Sequence, residues 1–570
     1  MLRLLTIPAF LILLLAGSLI WSGESAETRA DFAFVNRGDH ITLDLNDMSY
    51  MQDIRTAHAL WEGLYTLDPV QRKPVLASAD SVSISPDQRV YTLHIRPDAR
   101  WSNGAPLLAD DFLFEWRRML ESPREYTYLH FYIQGAKAYE QAFADYAKKP
   151  KDHKPLKPDF STVGEEKLDN RTLRITLSNP LPFFPALLAF PCFFPMNERA
   201  MEPFKQINKT TGAVTYRPEL TQPPNLVTNG PYRLAEWEFK RRVRLVASDY
   251  YWNRSAVKSR VIDEIHAEDP MAAYRLYQQG DVDWLADVDG EIAAALLKIP
   301  SRTDLHVFTG FGTYFYELNC QPKLSDGRDN PLRDPRVRRA LAMTIDKVPI
   351  VRDVAKLHQP IATTYIPVGA FAGYRSPPGL HYNVALARQL MAEAGYPGGR
   401  GFPPISILYN TDGIHADMAT IVRRQWSDTL GIQVDAQGEE LSQYKNDLHN
   451  HRFSVSRAGW FGDYNDPSTF TDKYLSTSEN NAAGWADEPY DKLCAAAAVE
   501  SDPARRFEIF SQAEDRLLNE APIIPLYTQV GAYLFRDNVK GISLNSQQMM
   551  QFQSIQVLGG GKAREAGSGH

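Results

Sequence analysis

Phe453-Ser-Val-Ser-Arg457-Ala-Gly-Trp460-Phe-Gly-Asp463-Tyr-Asn-Asp-Pro467-Ser-Thr-Phe470 is the stretch on which the reading of this chain turns. Its first half alternates as a strand does, with Phe453, Val455 and Arg457 on one face and Ser454 and Ser456 on the other. An arginine sharing a face with two core-type residues costs free energy unless an anion meets it. Gly459 and Gly462 then flank Trp460, and Asp463 precedes the turn signal Asp466-Pro467. Two arrangements are open on residue types alone. Asp463 can take an ammonium, Trp460 can form an apolar wall and Arg457 can take a carboxylate, together clamping a zwitterion. Alternatively, Arg457 and Asp463 pair with each other beneath a loop.

The surrounding chain sets bounds on both. Its 570 residues allow two or three domains with sizeable cores, and 44% hydrophobic against 23% charged residues is ordinary for a folded, soluble protein. A net charge of −7 argues against a general binder of nucleic acid or anionic membrane. Residues Leu4 to Trp21 form an apolar run behind Arg3, read as an export signal or an N-terminal anchor. Cleavage signals after it are poor. No cysteine stands near its end, so acylation there is not expected. Cys192, Cys320 and Cys494 are widely spaced, form no metal motif and allow at most one disulfide.

The run Arg457-Ala-Gly-Trp-x-x-Asp-Tyr-Asn-Asp-Pro467 resembles the signature loop of the oligopeptide-binding proteins, the extracytoplasmic solute-binding components of peptide ABC importers. Further stretches agree in order. They include Tyr91-Thr-Leu-x-Ile-Arg-x-x-Ala-x-Trp-Ser-Asn-Gly-x-Pro-Leu-x-Ala-x-Asp-Phe112, Thr228-Asn-Gly-Pro-Tyr-Arg-Leu234 and Ala521-Pro-Ile-Ile-Pro-Leu-Tyr527. The resemblance spans roughly residues 31 to 556.

It implies an α/β fold of the two-lobed periplasmic-binding-protein type, with an extra β-rich subdomain and a hinge. The implied division is a leader or anchor at 1–30, lobe I from 31–65, 197–311 and 526–558, a β-rich subdomain at 66–196, lobe III at 312–525, and a flexible tail at 559–570. It implies that Asp463 receives a peptide's N-terminal ammonium, that Arg457 receives the carboxylate of short peptides, and that Trp460 lines the site. His415, in the context Tyr409-Asn410-Thr-x-x-x-His415, would meet the carboxylate of a longer peptide, with Asn410 beside it. Tyr50 and Met51 would lie along the peptide main chain, and Glu317 would face the cleft.

The chain departs from the family at two places. Relatives carry an arginine nine positions before the loop arginine, where this chain has Leu448. The cysteine bridge of some relatives falls here on Gly312 and Phe461, so it is absent. No cofactor is expected. The expected partners are an oligopeptide and ABC transporter permease subunits, with the chain a monomer in the periplasm or cell envelope and a membrane tether at residues 4–21 as an alternative.

Local signals place the remaining elements. Thr56–Leu64 reads as a helix stopped by Gly63, Pro180–Pro195 as a buried helix, and Asp334-Pro335 and Asp502-Pro503 as helix starts. Ile405–Asn410 reads as a strand, and Gly280 as a helix stop. His449-x-His451 also admits reading as a metal pair on a strand. Gly-x-Ser-x-Gly, His-Glu-x-x-His and a Walker loop are all missing, which disfavours an exported hydrolase. The alternatives to peptide delivery are the same fold with a metal complex, haem or sugar, or an anchored sensor or chaperone.

Overall fold

Two long antiparallel strands, Leu305–Leu318 and Ile523–Phe535, run through the middle of the computed structural model. The structure describes residues 29–559 apart from 37, 41, 49, 70–72, 150–155 and 210–212. The predicted leader therefore lies outside the described residues, except for its last two, and so do all but the first residue of the tail.

The two strands stand inside a ten-stranded sheet among the described residues. On one side, Trp284–Leu285, Phe32–Val35, Val261–Ile265, Arg242–Ala247 and Tyr232–Glu238 follow in order. On the other lie Val455–Phe461, Ile405–Asn410 and Val434–Glu439. The central pair breaks register between Thr309 and Thr313, where Gly310 and Gly312 occur. An added Cβ at Gly312 would come within 2.5 Å of the Trp460 carbonyl oxygen, so glycine is required for the close approach of the strands. Gly312 and Phe461 are direct cross-strand partners. Cys192, Cys320 and Cys494 are free thiols.

A separate four-stranded antiparallel sheet, ordered Ala79–Ile84, Val90–Ile95, Thr172–Thr176 and Glu165–Asp169, forms the β-rich unit. Its buried face, including Tyr91, Leu93, Ile95, Leu173 and Ile175, joins a core with Trp101, Phe112 and Trp116. A second core, around Trp426, Leu341 and Ile407, packs helices of residues 330–450 against the other end of the ten-stranded sheet. This is the two-lobed α/β architecture with an added β-rich unit.

Boundaries set by local chemistry agree with the sequence. Asp269, Asp334 and Asp502 each accept a backbone N–H at the start of a helix with proline in its first turn. Gly280 ends Pro270–Gln279 in the left-handed conformation.

Two expectations need correction. The early helix is Met51–Leu60, not Thr56–Leu64. The chain turns extended at Trp61 because Glu62 is held by Tyr251 and Trp252, at 2.6 and 2.7 Å. Pro180–Pro195 is not one helix. It holds one turn at Phe184–Leu187 and a 3-10 turn at Pro191–Phe193, since proline lacks the N–H that a continuous helix needs.

Candidate interlobe ligand site

The strand Val455–Phe461 lies between Leu305–Leu318 and Ile405–Asn410, and this sandwiching fixes where the signature loop begins. Arg457 does not pair with Asp463. Its Nε donates to Asn410 Oδ1 at 2.5 Å, and its guanidinium lies 5.1 Å from the ring centroid of Tyr444. The side chain is only half-buried, so the ring and the amide support it while leaving it open to an anion.

His415 opens the helix His415–Leu430 beside this group. Its Nδ1 is 3.0 Å from the Tyr314 hydroxyl, and Tyr314 stacks on Tyr527. Burial first, and then Arg457, push the His415 pKa down to about 4, against Asp412. His415 is therefore neutral at pH 7 and offers a hydrogen bond rather than a charge.

Six residues further on, Asp463 leaves the sheet edge and meets the β-rich unit. The Tyr128 hydroxyl donates to its Oδ2 at 2.5 Å. Burial raises the Asp463 pKa to about 6, and the Tyr128 hydrogen bond opposes the rise. Next to it, Tyr132 donates to Asp472 at 2.9 Å, and the rings of Phe183 and Tyr464 stack at 4.4 Å. Burial likewise lifts Asp472, to about 7. A cavity of about 40 Å³ lies among Tyr128, Trp460, Tyr464, Asp472, Lys473 and Asn480. The Asp472 carboxyl lines it together with Lys473, and Asp463 is joined to the same lining through Tyr128.

Trp460 forms part of that wall, held by its indole N–H on the Thr469 carbonyl at 2.7 Å. Asp466 is no simple turn residue. Arg506, from the helix Pro503–Glu520, holds both its oxygens in a buried ion pair, and Asp466 Oδ1 also accepts the Ser468 N–H at 3.0 Å.

Tyr50 precedes the helix Met51–Leu60 and is 38% exposed, with Lys445 Nζ 5.6 Å from its ring centroid. Met51 beside it is half-buried. Glu317 corrects the expectation of a cleft-facing carboxylate. It is buried, accepting from Lys473 at 2.9 Å and from the Tyr474 hydroxyl at 2.6 Å. It acts instead by positioning Lys473 under Trp460, 5.4 Å from the ring centroid. The histidine pair does not form a metal site on a strand: His449 ends the helix Leu441–His449, and His451 Nδ1 lies 2.8 Å from the Ala482 carbonyl.

Sequence reading missed Tyr128, Tyr132, Tyr444 and Asp472. The closely spaced aromatics Tyr126, Tyr128, Phe131 and Tyr132 were the available signal, but nothing local says that they meet residues more than 300 positions away.

A two-lobed α/β fold of this kind defines a solute-binding protein. The chain belongs to the bacterial extracellular solute-binding proteins of family 5, whose middle-region model matches residues 73–482. It is 30% identical over 535 residues to the periplasmic oligopeptide-binding protein OppA of Salmonella typhimurium, covering 91% of this chain and 92% of that one. It is 28% identical over 504 residues to the oligopeptide-binding protein OppA of Bacillus subtilis, covering 87% and 86%. Among solved structures, the murein tripeptide binding protein MppA of Escherichia coli superposes with a TM-score of 0.76 at 27% identity, covering 93% of this chain and 99% of that one. No helix among the described residues is long and apolar enough to cross a membrane.

Proposed function

We propose that this protein captures short peptides between its lobes and delivers them to an ABC transporter, acting by binding and not by catalysis. The observation that carries this reading is the separation of two unlike charges along one segment. Arg457 lies at one end, unpaired with any carboxylate among the described residues, and Asp463 lies at the other against the β-rich unit. The four residue steps from Arg457 to Phe461 span about 13 Å, a length suited to an extended peptide of a few residues. In this reading Asp463 takes the ammonium and Arg457 the carboxylate. Trp460 walls the first position, and Tyr50 and Met51 border the main chain. His415 and Asn410 meet the carboxylate end by hydrogen bonds. Each charge-assisted contact contributes about 1.5–3 kcal/mol.

Lobe I is assigned to 31–65, 197–311 and 526–558, the β-rich unit to 66–196 and lobe III to 312–525. Peptide touching both sides favours the closed form, because only that form makes both sets of contacts. We also infer an exported monomer, with residues 4–21 serving as leader or tether.

Calorimetric titration with di-, tri-, tetra- and pentapeptides tests this reading, alongside N-acetylated and C-amidated versions. Binding of free peptides that weakens on acetylation is expected. Absence of heat at every length would mean that the scaffold carries another kind of ligand.

A further inference from the structure

None of the residues that follow belongs to the Asp463–Arg457 site. Glu264, on the strand Val261–Ile265, is buried, and two histidines converge on its Oε1. His40 Nε2 lies 3.0 Å from that oxygen and His266 Nε2 lies 3.8 Å from it. All three ligand-type atoms fall within 4.8 Å of one another. A tetrahedral ion with bonds of about 2.0–2.1 Å separates its ligands by roughly 3.3 Å, within the span seen here.

The far side of each ring carries a carboxylate. His40 Nδ1 is 3.0 Å from Asp53 Oδ1, and His266 Nδ1 is 2.9 Å from Asp39 Oδ1. The Asp53 contact is a hydrogen bond to His40 Nδ1, the kind of carboxylate partner that orients metal-bound histidines, whereas Asp39 lies within reach of His266 Nδ1 without a hydrogen bond to it. Asp53 and Asp39 are themselves held from different parts of the fold. Asp53 sits in the first turn of Met51–Leu60, while Asp39 Oδ2 accepts the Lys240 N–H at 2.7 Å.

Glu264 is aimed in the same way. Its Oε1 accepts from Asn36 and its Oε2 from Thr56, each at 2.9 Å, which leaves further lone pairs on the carboxylate. The His266 side chain is 3% exposed, yet its Nε2 has no hydrogen-bond partner among the described residues. A buried ring nitrogen without a partner is costly, and 3.8 Å is too long for a hydrogen bond to Glu264. Three carboxyls around two imidazoles also make a strongly negative interior.

We propose that His40, His266 and Glu264 form a binding site for a first-row divalent transition metal of the zinc type, oriented by Asp53. Two imidazoles with one carboxylate suit zinc or cobalt, whereas calcium and magnesium call for all-oxygen shells. The ion would fasten the segment after Phe32–Val35 to the strand Val261–Ile265 and to His266 just beyond it. It would stabilise the folded chain as any ligand of the native state does.

The test uses tag-free protein, stripped with a chelator and dialysed, then titrated with zinc chloride and with cobalt chloride. A single equivalent bound, with the visible bands of tetrahedral cobalt and a rise in Tm reversed by chelator, is expected. His266→Gln and Glu264→Gln should abolish all three readouts, and Asp53→Asn should weaken binding about 10–100-fold. Circular dichroism checks that each variant is folded. Wild-type protein that binds neither ion overturns the site without reference to any variant. So does binding that survives unchanged in folded His266→Gln and Glu264→Gln, because the ion would then sit elsewhere.

Discussion

The Tyr128 hydroxyl donates to Asp463 across 335 positions of sequence, one of the hydrogen bonds that join the turn Thr127–Tyr132 to the signature loop. An incoming ammonium must share or replace that donor. The charge on Asp463 then dominates affinity, because a buried cation without its carboxylate is strongly disfavoured. Asp463→Ala is expected to weaken free peptides by about 1.5–3 kcal/mol, roughly 10–150-fold, and to leave N-acetylated peptides unaffected. Calorimetry on both peptide forms checks this. Equal losses for both would indicate a damaged loop rather than a lost ammonium contact.

The pH dependence follows from the raised pKa of Asp463, about 6 in the ligand-free protein. Only the carboxylate binds an ammonium. Affinity should therefore be flat near neutrality and fall up to tenfold per unit below about pH 6. Protons should be released on binding in that range, measurable as buffer-dependent heats. Tyr128 lowers this pKa, so Tyr128→Phe should move the midpoint upward. Asp472 titrates close by, at about 7. Asp472→Asn should leave the step in place, and its disappearance there would reassign the step.

Arg457 and His415 should behave differently although they are neighbours. Arg457 carries a full charge supported by Asn410 and Tyr444, whereas His415, with its pKa near 4, is neutral. Arg457→Ala is expected to cost about tenfold or more for free carboxylates, with C-amidation of the peptide mimicking the loss in wild type. His415→Gln should cost only a few-fold, about 1 kcal/mol or less, with no pH dependence between about pH 6 and 8. A steep change across that pH range in wild type that vanishes in His415→Gln would contradict the neutral imidazole.

The buried Arg506–Asp466 pair supports the loop from below. Removing one partner leaves the other charged and unpaired. Arg506→Met should therefore destabilise the fold by about 3–5 kcal/mol, read as a lowered midpoint in urea. Peptide affinity should fall as well, because Asp466 fixes Ser468 just beyond Asp463. An unchanged midpoint would show that the pair contributes nothing net.

Much of this protein was legible before any tertiary contact was known. Ile405–Asn410 is a strand, as its residues read. Gly280 stops its helix, and Asp-Pro opens two others. These are short-range decisions, taken by dihedral limits and by side chains that cap their own backbone a few residues away. The signature loop was legible for a related reason. Its Gly, Trp, Asp and Pro occur in an irregular order that a continuous strand or helix does not require.

What each charged group meets was decided only by the fold. Glu317 reads like a cleft residue, yet it turns inward, because Lys473 and the Tyr474 hydroxyl meet its carboxylate and offset the cost of burying it. Arg457 and Asp463 are six residues apart and could have paired. They part because the strand carries one to Asn410 and the loop carries the other to Tyr128. His40 and Glu264 are more than 200 positions apart and come together only because Phe32–Val35 lies parallel to Val261–Ile265. Local periodicity specifies which face a residue takes. Which partner waits on that face depends on packing between distant segments, and a single sequence read along its length does not carry that information.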